Sequence, residues 1–275
     1  MSTYKHEFRG LKRKKAYDEE NALSLAIACD LAYLNEAEVT ATCPTWGFPL
    51  VNFFQIKKGG DIDTQCFVMA NDHDVVIVFR GSDDKADWFA NFQASQNPGP
   101  LTNSRAHEGF QDALFPAVIS ITNILDKFNA ANKNIWVTGH SLGGALCSLY
   151  AGMLIEHKYT VYGIYTFASP RPGDDNFATQ LKAAVAGPHY RVVNNFDVVP
   201  HVPPEPFFSH SGNRIILKTS GKDRKKSTWL AQRIHALEHF VKVTGQVFDL
   251  KDNHTLTGDN GSYLPRLLKD ANRAR

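Results

Sequence analysis

The sequence predicts an α/β fold in which a mostly parallel central sheet is flanked by helices. Two observations predict it. Short β-rich runs alternate with longer helical runs through the second half of the chain, and three β-rich runs separated by turn residues precede that alternation. At 275 residues with 43% hydrophobic content, the chain can bury one large core, so we expect a single domain over residues 1–275.

The first half is expected to open with a helix over residues 22–34 and to continue as an antiparallel meander at one edge of the sheet. The meander has three strands, over residues 51–56, 65–70 and 74–80. The pairs Gly59-Gly60 and Asn71-Asp72 separate these strands and are turn signals typical of antiparallel neighbours.

A long amphipathic helix is expected over residues 108–129, where apolar side chains recur every three or four positions and Pro116 would kink the helix. Strands and helices then alternate: strand 135–138, helix 142–156, strand 161–168, helix 176–186 and strand 190–194. The right-handed crossover rule makes these strands parallel. A closing helix over residues 263–270 leaves a basic tail at 271–275.

The charge balance argues against a nucleic-acid partner, since 30 Lys and Arg face 28 Asp and Glu and the formal net charge is +2. A basic N-terminal arm, residues 1–17, contains the run Lys12 to Lys15, but no apolar stretch follows that could form the core of a signal peptide. The most apolar segment, residues 145–155, is too short to span a bilayer. We expect no transmembrane segment, and a cytoplasmic location or export without a cleaved signal peptide.

The four cysteines are scattered without CxxC spacing, which favours buried thiols over a zinc site or a disulfide framework. No metal or other cofactor is expected.

Ser141 is the predicted nucleophile, because it lies in the Gly-x-Ser-x-Gly motif Gly139-His140-Ser141-Leu142-Gly143. A β-branched run leads into the motif and an apolar helical run leads out of it, which is the setting of the α/β-hydrolase elbow. Gly139, Gly143 and Gly144 remove side chains that would collide in so tight a turn. The amide of Leu142, at the start of the helix, would point at an oxyanion formed during attack. A plain glycine-rich turn is the alternative.

A serine hydroxyl needs a base and an acid that orients the base, expected downstream in the order Ser, Asp, His. Asp197 is the predicted acid because it follows strand 190–194 at the carboxyl edge of a parallel sheet; a turn-capping aspartate is the alternative. Among the later histidines, His254 is the predicted base. It lies on a polar loop before the final helix, from which it can reach back over the sheet edge.

A rival site of another enzyme class is His235-Ala236-Leu237-Glu238-His239, which matches the H-x-x-E-H zinc-peptidase pattern. That pattern needs a third ligand, expected to be a downstream glutamate, and no glutamate follows Glu238. Two histidines on a solvated or packed helix face are the simpler interpretation.

These residues resemble those of class 3 lipases, the fungal-lipase-like branch of the α/β hydrolases, over roughly residues 74–264. The resemblance rests on six segments: the strand and oxyanion segment 76–82, the lid start Asp87-Trp88, the helix start 107–110, the elbow 139–144, the post-strand loop 167–174 and the acid loop 194–204. Ala168 and Pro172 depart from it, since glycine and valine are expected there.

The resemblance implies further roles. Ser82 would supply an oxyanion amide and a hydroxyl that braces it, and Leu142 would supply the second amide. His254 followed by Tyr263 resembles the family's terminal histidine and tyrosine, while His210 resembles a structural histidine. Secreted fungal members of the family have a signal peptide and a disulfide framework, and neither is expected in this chain. This difference argues against extracellular fat digestion.

The expected activity is carboxylester hydrolysis through an acyl-enzyme, by a lipase that cleaves acylglycerol esters. The substrate class rests on a short helical lid, residues 84–100, in which Trp88, Phe89 and Phe92 share one helical face that could turn toward a lipid surface. A core-packed helix is the alternative for this segment.

Other activities stay open at this point. They are an esterase for short soluble esters, a phospholipase or galactolipase, and, in a different class, an inactive lipid- or protein-binding module. The expected partner is a lipid ester at an interface. Peripheral membrane contact through the basic arm and residues 222–226 is a further expectation, with solvated loops as its alternative.

Overall fold

The computed structural model describes residues 4–58, 62–82, 95–195, 197–217 and 251–274. The strands in these ranges are β1 Leu50–Lys58, β2 Ile62–Ala70, β3 Asp74–Phe79, β4 Gln96–Pro98, β5 Arg105–His107, β6 Asn134–His140, β7 Val161–Phe167, β8 His189–Asn194 and β9 Asn213–Leu217. The α-helices are α1 Glu19–Leu31, α2 Glu36–Thr42, α3 Glu108–Lys127, α4 Leu142–Glu156, α5 Asp175–Ala184, α6 Lys251–His254 and α7 Tyr263–Arg273.

A seven-stranded sheet in the order β1-β2-β3-β6-β7-β8-β9 forms the centre of the fold. Strands β1, β2 and β3 pair antiparallel, and every later neighbour in this sheet pairs parallel. The predicted meander at one edge and the predicted parallel second half are both confirmed. This is the α/β-hydrolase fold expected from the sequence.

Helices cover both faces of the sheet because the central strands are apolar on both faces. In β3, Val75, Ile77 and Phe79 pack with the helices α3 and α4, while Val76 and Val78 pack with α1 and α7 on the opposite face. This alternation follows from the two-residue period of a strand. The two hydrophobic clusters hold β6 from both faces, with Ile135 and Val137 in the first cluster and Trp136 in the second.

Several boundaries differ from the predicted ones. Helix α1 begins at Glu19 rather than residue 22, because Asp18 accepts hydrogen bonds from the amides of Glu20 and Asn21 and caps the helix. Helix α3 continues through Pro116. Helix α7 runs to Arg273, so the predicted basic tail begins within a helix, and Ala271 is buried.

Some elements were not predicted, among them α2, the hairpin of β4 and β5, and the edge strand β9. The hairpin corrects the predicted helical lid over residues 84–100, since residues 96–98 form strand β4. Residues 84–94 of the lid lie outside the described ranges.

The basic N-terminal segment packs against the body of the protein over its described part. Lys12 contacts Glu20 at 2.5 Å and Lys14 contacts Asp18 at 3.1 Å, while Phe8 is buried among the aromatic side chains of the second cluster. These ion pairs engage two of the cations that were expected to contact a membrane.

All four cysteines are buried and free, as predicted. Among the described residues, no helix combines the length and the apolar character that crossing a bilayer requires.

Candidate active site

Ser141 sits in the sharp turn between β6 and α4, with φ 56° and ψ −131°. Such a backbone costs about 1–3 kcal/mol for a residue with a side chain, so the surrounding structure must hold it. The Ser141 amide donates to Phe167 O at 2.9 Å, which ties the turn to β7. A Cβ on Gly139 would collide with the carbonyl group of Gly143, so the first glycine of the motif is required by close approach of the two ends of the turn.

The side chains of Ser141, His254 and Asp197 form one continuous hydrogen-bonded chain. His254 Nε2 lies 2.9 Å from Ser141 Oγ, and His254 Nδ1 lies 3.0 Å from each oxygen of Asp197. An ionised carboxylate only accepts hydrogen bonds, so Nδ1 carries the hydrogen and donates it to Asp197. In the neutral imidazole Nε2 is then the acceptor, and the Ser141 hydroxyl donates to it.

Asp197 is held from two further sides. The Tyr263 hydroxyl donates to Oδ2 at 2.7 Å and the Val199 amide donates to Oδ1 at 3.0 Å. The pKa of Tyr263 is raised well above its ordinary value, mainly by burial and next by the negative charge of Asp197. The phenol therefore keeps its proton and remains a donor. The Tyr263 oxygen in turn accepts from the Asn194 amide at 3.0 Å.

His254 ends the short helix α6 rather than lying on the loop predicted from the sequence. Asn194 anchors this part of the chain to the end of β8, because its side-chain nitrogen donates to Asn253 O at 2.8 Å and Gly261 O at 3.0 Å. The histidine is therefore fixed to the same strand end from which the chain continues to Asp197.

A second contact holds the main chain of His254 from the elbow itself. His140 Nε2 donates to His254 O at 2.7 Å, since a carbonyl oxygen can only accept. This leaves Nδ1 of a neutral His140 to accept from the Tyr33 hydroxyl at 2.8 Å. The His140 and His254 rings lie 5.0 Å apart between centroids. The contacts of His140 and Tyr33 were not found by sequence reasoning, and only the position of His140 within the motif hinted at a role.

Leu142 and Ser82 are the two predicted oxyanion positions. Leu142 is the first residue of α4, so its amide belongs to the helix turn that lacks intrahelical acceptors. Gly81 precedes Ser82 and approaches the nucleophile closely. A Cβ built on Gly81 would lie 2.8 Å from His140 O and 3.0 Å from Ser141 Cβ. The backbone leading into Ser82 therefore runs directly beside the nucleophile.

The site is closed to solvent. Ser141 and Asp197 are each 3% exposed and His254 is 1% exposed. The predicted lid residues Trp88, Phe89 and Phe92 lie outside the described part of the chain.

Two other histidine assignments were made from the sequence, for His210 and for the H-x-x-E-H segment. His210 is buried and its Nε2 donates to Pro200 O at 2.7 Å, which is a structural contact within the acid loop. The H-x-x-E-H segment, residues 235–239, lies outside the described ranges. Within those ranges, no cluster of three or more His, Cys, Asp or Glu side chains is arranged to hold a metal ion.

The chain is similar to known lipases in sequence. The family model for class 3 lipases matches residues 76–207, which include Ser82, Ser141 and Asp197. A lipase of Rhizomucor miehei is 35% identical over 161 residues, which cover 54% of this chain and 44% of that protein. The triacylglycerol lipase OBL1 of Arabidopsis thaliana is 29% identical over 291 aligned residues, covering 83% of this chain and 56% of its own length.

The fold is similar to solved lipase structures. A triacylglycerol lipase whose catalytic centre is formed by a serine protease triad superposes with a TM-score of 0.63 at 25% identity, covering 75% of this chain and 83% of that one. The Rhizomucor miehei lipase in complex with its propeptide gives a TM-score of 0.61 at 24% identity, with coverages of 78% and 75%. The chain spans about half the length of the curated relatives it matches.

Proposed function

We propose that the chain is a serine carboxylester hydrolase of the class 3 lipase type, which acts through Ser141, His254 and Asp197. One observation carries the proposal, namely the buried chain of hydrogen bonds from Ser141 Oγ through His254 to Asp197. A serine that only shapes a strand-to-helix turn does not need a histidine to accept its proton. It also does not need a carboxylate that fixes the tautomer of that histidine.

The reaction begins when Ser141 Oγ attacks the ester carbonyl carbon while its proton passes to His254 Nε2. Asp197 keeps its hydrogen bond to Nδ1 and stabilises the imidazolium. The ester C–O bond then breaks, the departing alcohol takes the proton from Nε2, and the acyl group stays on Ser141. Water next gives a proton to Nε2 and attacks the acyl carbon, and the released Ser141 oxygen recovers that proton. No cofactor enters these steps.

Charge builds up on the carbonyl oxygen in both halves of the reaction. The amides of Leu142 and Ser82 are the proposed donors to this oxyanion. The position of Leu142 at the start of α4 supports the first, because free amides and the helix dipole both favour negative charge there. The approach of the Gly81 backbone to Ser141 supports the second.

The proposed substrate is an acylglycerol ester presented at a lipid interface. Relatives named as lipases support an acylglycerol substrate, and the 3% exposure of Ser141 supports a site that a movable cover closes. We propose the segment 84–94 with Trp88, Phe89 and Phe92 as that cover. Rice phospholipase A1-II 3, which is 27% identical over 204 residues, makes phospholipids the second substrate class to test.

Phe207 is a further proposed lipid contact. Phe207 is 70% exposed, and its carbonyl oxygen accepts a hydrogen bond from Gln96 Nε2 at 2.6 Å, so its main chain lies beside β4. Phe207→Ser should lower activity on emulsified triglyceride while leaving hydrolysis of a dissolved short-chain ester unchanged. If the variant hydrolysed emulsified triglyceride as fast as the unaltered protein does, Phe207 would not be a lipid contact.

The assignment of the three residues is tested by replacing each one singly. Ser141→Ala, Asp197→Asn and His254→Ala should each lower turnover by about 10⁴-fold. Ser148→Ala is the matched control, because this serine lies on α4 but its hydroxyl donates to Gly144 O rather than entering the site. Near-normal turnover after any one of the three changes would exclude that residue.

The substrate class is tested with p-nitrophenyl esters from acetate to palmitate, alongside triglyceride, phospholipid and galactolipid. The proposal expects long acyl chains in dispersed lipid to be hydrolysed fastest. A preference for acetate in solution would make the protein an esterase instead.

A further inference from the structure

A cavity of about 490 Å³ opens at the edge of the sheet formed by β8 and β9, on the outer side of the acid loop. Asp197 borders it, whereas Ser141 and His254 do not. It is therefore separate from the place where the ester must bind, although both share the loop that carries Asp197.

The floor of this cavity places two arginines side by side. Arg191 of β8 is the register partner of Arg214 on β9, and Val193 is the partner of Ile216 two residues further on. All four residues line the cavity, as expected for positions on one face of two parallel strands. Like charges directly opposite each other in a sheet are destabilising unless a counter-charge lies between them.

A third arginine, Arg171, also lines the cavity. Arg171 is 5% exposed and donates to the carbonyl oxygens of His201 and Pro203, the second at 2.7 Å, and it pairs with Glu205 at 3.2 Å. Arg171 thus connects the cavity to the acid loop.

The lining holds three carboxylates, which equal its three arginines in formal charge, but two of the carboxylates are engaged by other groups than the strand arginines. Glu205 is engaged by Arg171, and Asp197 is engaged by His254 and Tyr263. Asp175, at the first position of α5, is the remaining carboxylate of the lining. Between β8 and β9, the two strand arginines therefore face each other with no hydrogen bond or ion pair to a carboxylate of the described residues.

Two further observations indicate that the cavity attracts anions. Arg191 Nε is buried and has no hydrogen-bond partner among the described residues. Burial, together with Arg214 and Arg171, lowers the pKa of Arg191 to about 10. The neighbouring His201 has its pKa lowered to about 4, first by burial and then by Arg171. After burial, the neighbouring arginines are the next cause of the lowered pKa of both Arg191 and His201, while Glu205 acts in the opposite direction on Arg191 and Asp197 on His201.

We propose that the cavity is a binding site for a phosphate group, held by Arg191 and Arg214 on the strands and Arg171 on the wall. A phosphate has the oxygen atoms to accept from several guanidinium groups at once, and its charge offsets the repulsion between the paired arginines. The group can belong to a free phosphate compound or to a phospholipid headgroup. Neither Ser141 nor His254 lines the site, and Asp197 is the one residue of the proposed triad that borders it.

Calorimetric titration with inorganic phosphate, against potassium chloride at equal ionic strength, tests the proposal. Saturable binding is expected, and Arg191→Gln and Arg214→Gln should each weaken it about 10-fold or more. Arg273→Gln, an exposed arginine at the end of α7, is the matched control and should bind as the unaltered protein does. Arg214 is exposed, so its variant keeps the test valid if loss of the partly buried Arg191 impairs folding.

Vesicles containing phosphatidic acid distinguish the two sources, with Ser141→Ala protein so that no lipid is consumed. Binding that inorganic phosphate displaces and that Arg214→Gln weakens identifies a headgroup, and saturable phosphate binding without vesicle binding identifies a free phosphate compound. Phosphate titrations that do not saturate, or that Arg191→Gln and Arg214→Gln leave unchanged, would overturn the proposal.

Discussion

Replacing Tyr263 with phenylalanine removes one oxygen atom from the centre of the proposed site. This hydroxyl is fully buried, donates to Asp197 Oδ2 at 2.7 Å and accepts from the Asn194 amide at 3.0 Å. A hydrogen bond to a charged group contributes about 1.5–3 kcal/mol, and an abandoned buried amide costs about 1–3 kcal/mol. The two effects share one atom and are not additive, so we expect the free energy of unfolding to fall by about 2–4 kcal/mol.

Turnover should fall much less than in the triad variants. Asp197 still accepts from His254 and from the Val199 amide in Tyr263→Phe, so the imidazole keeps its tautomer. We expect a decrease of about 10-fold in kcat, or about 1.4 kcal/mol, with little change in KM.

Urea unfolding followed by circular dichroism and steady-state hydrolysis of a soluble ester measure the two effects. The matched control is Tyr190→Phe, whose hydroxyl donates to Lys15 O at 3.1 Å away from the site. It should cost at most about 1.5 kcal/mol and leave kcat unchanged. If Tyr263→Phe and Tyr190→Phe behaved alike in both assays, the Tyr263 hydroxyl would not hold Asp197.

Three further outcomes follow from single positions. Gly81→Ala should abolish ester hydrolysis while the protein still folds by circular dichroism, because the added Cβ would meet the Tyr33 hydroxyl and His140 O beside Ser141; full activity would contradict the proposed oxyanion segment. Ala168→Gly should change the free energy of unfolding by less than about 1 kcal/mol. Glycine removes the strain of the left-handed backbone at φ 54°, which stabilises the fold, but it also loses a buried methyl group and gives the unfolded chain more freedom, which destabilise it. Ala117→Gly, in the middle of α3, should cost about 1.5–2 kcal/mol in the same urea melts, and equal costs at both positions would refute the strain. Burial lowers the pKa of several histidines in the folded protein, among them His189 to about 3 and His201 to about 4, and it holds the pKa of His210 well below its ordinary value. In the unfolded chain these histidines take up protons near pH 6.5. The stability of the folded protein is therefore complete with respect to them above that pH. As the pH falls below it, the free energy of unfolding decreases by up to about 1.4 kcal/mol per histidine per pH unit. His201→Gln should flatten the dependence measured by urea melts between pH 6 and 4.5, and an unchanged slope would count against this origin.

The elbow around Ser141, the antiparallel meander and the parallel second half were predictable because they depend on local patterns. The elbow needs glycines at fixed spacing between a β-branched run and an apolar helix, and that pattern is complete around Ser141. Asp197 was predicted as the acid because catalytic groups collect at the carboxyl ends of parallel strands, and the structure places it beside His254. His254 followed from chain order and from its polar surroundings, although the helix that carries it was not predicted.

The supporting residues could not be predicted because their contacts join distant parts of the chain. Tyr33 and His140 are 107 positions apart, and Asn194 meets Gly261 across 67 positions. Strand β9 carries Arg214 and exposed positions at the sheet edge, so no alternation of buried and polar residues marks it. The pairing of Arg191 with Arg214 therefore becomes visible only from the register of β8 and β9.

The central claim is that Ser141 is the nucleophile of an ester hydrolase. Incubation with a fluorophosphonate probe, followed by intact-mass measurement and peptide mapping, tests it most directly. We predict one adduct, on Ser141, that forms in the folded protein, is absent after Ser141→Ala and forms far more slowly after His254→Ala. No adduct on Ser141 in the folded protein, or ester hydrolysis that survives Ser141→Ala, would contradict the claim.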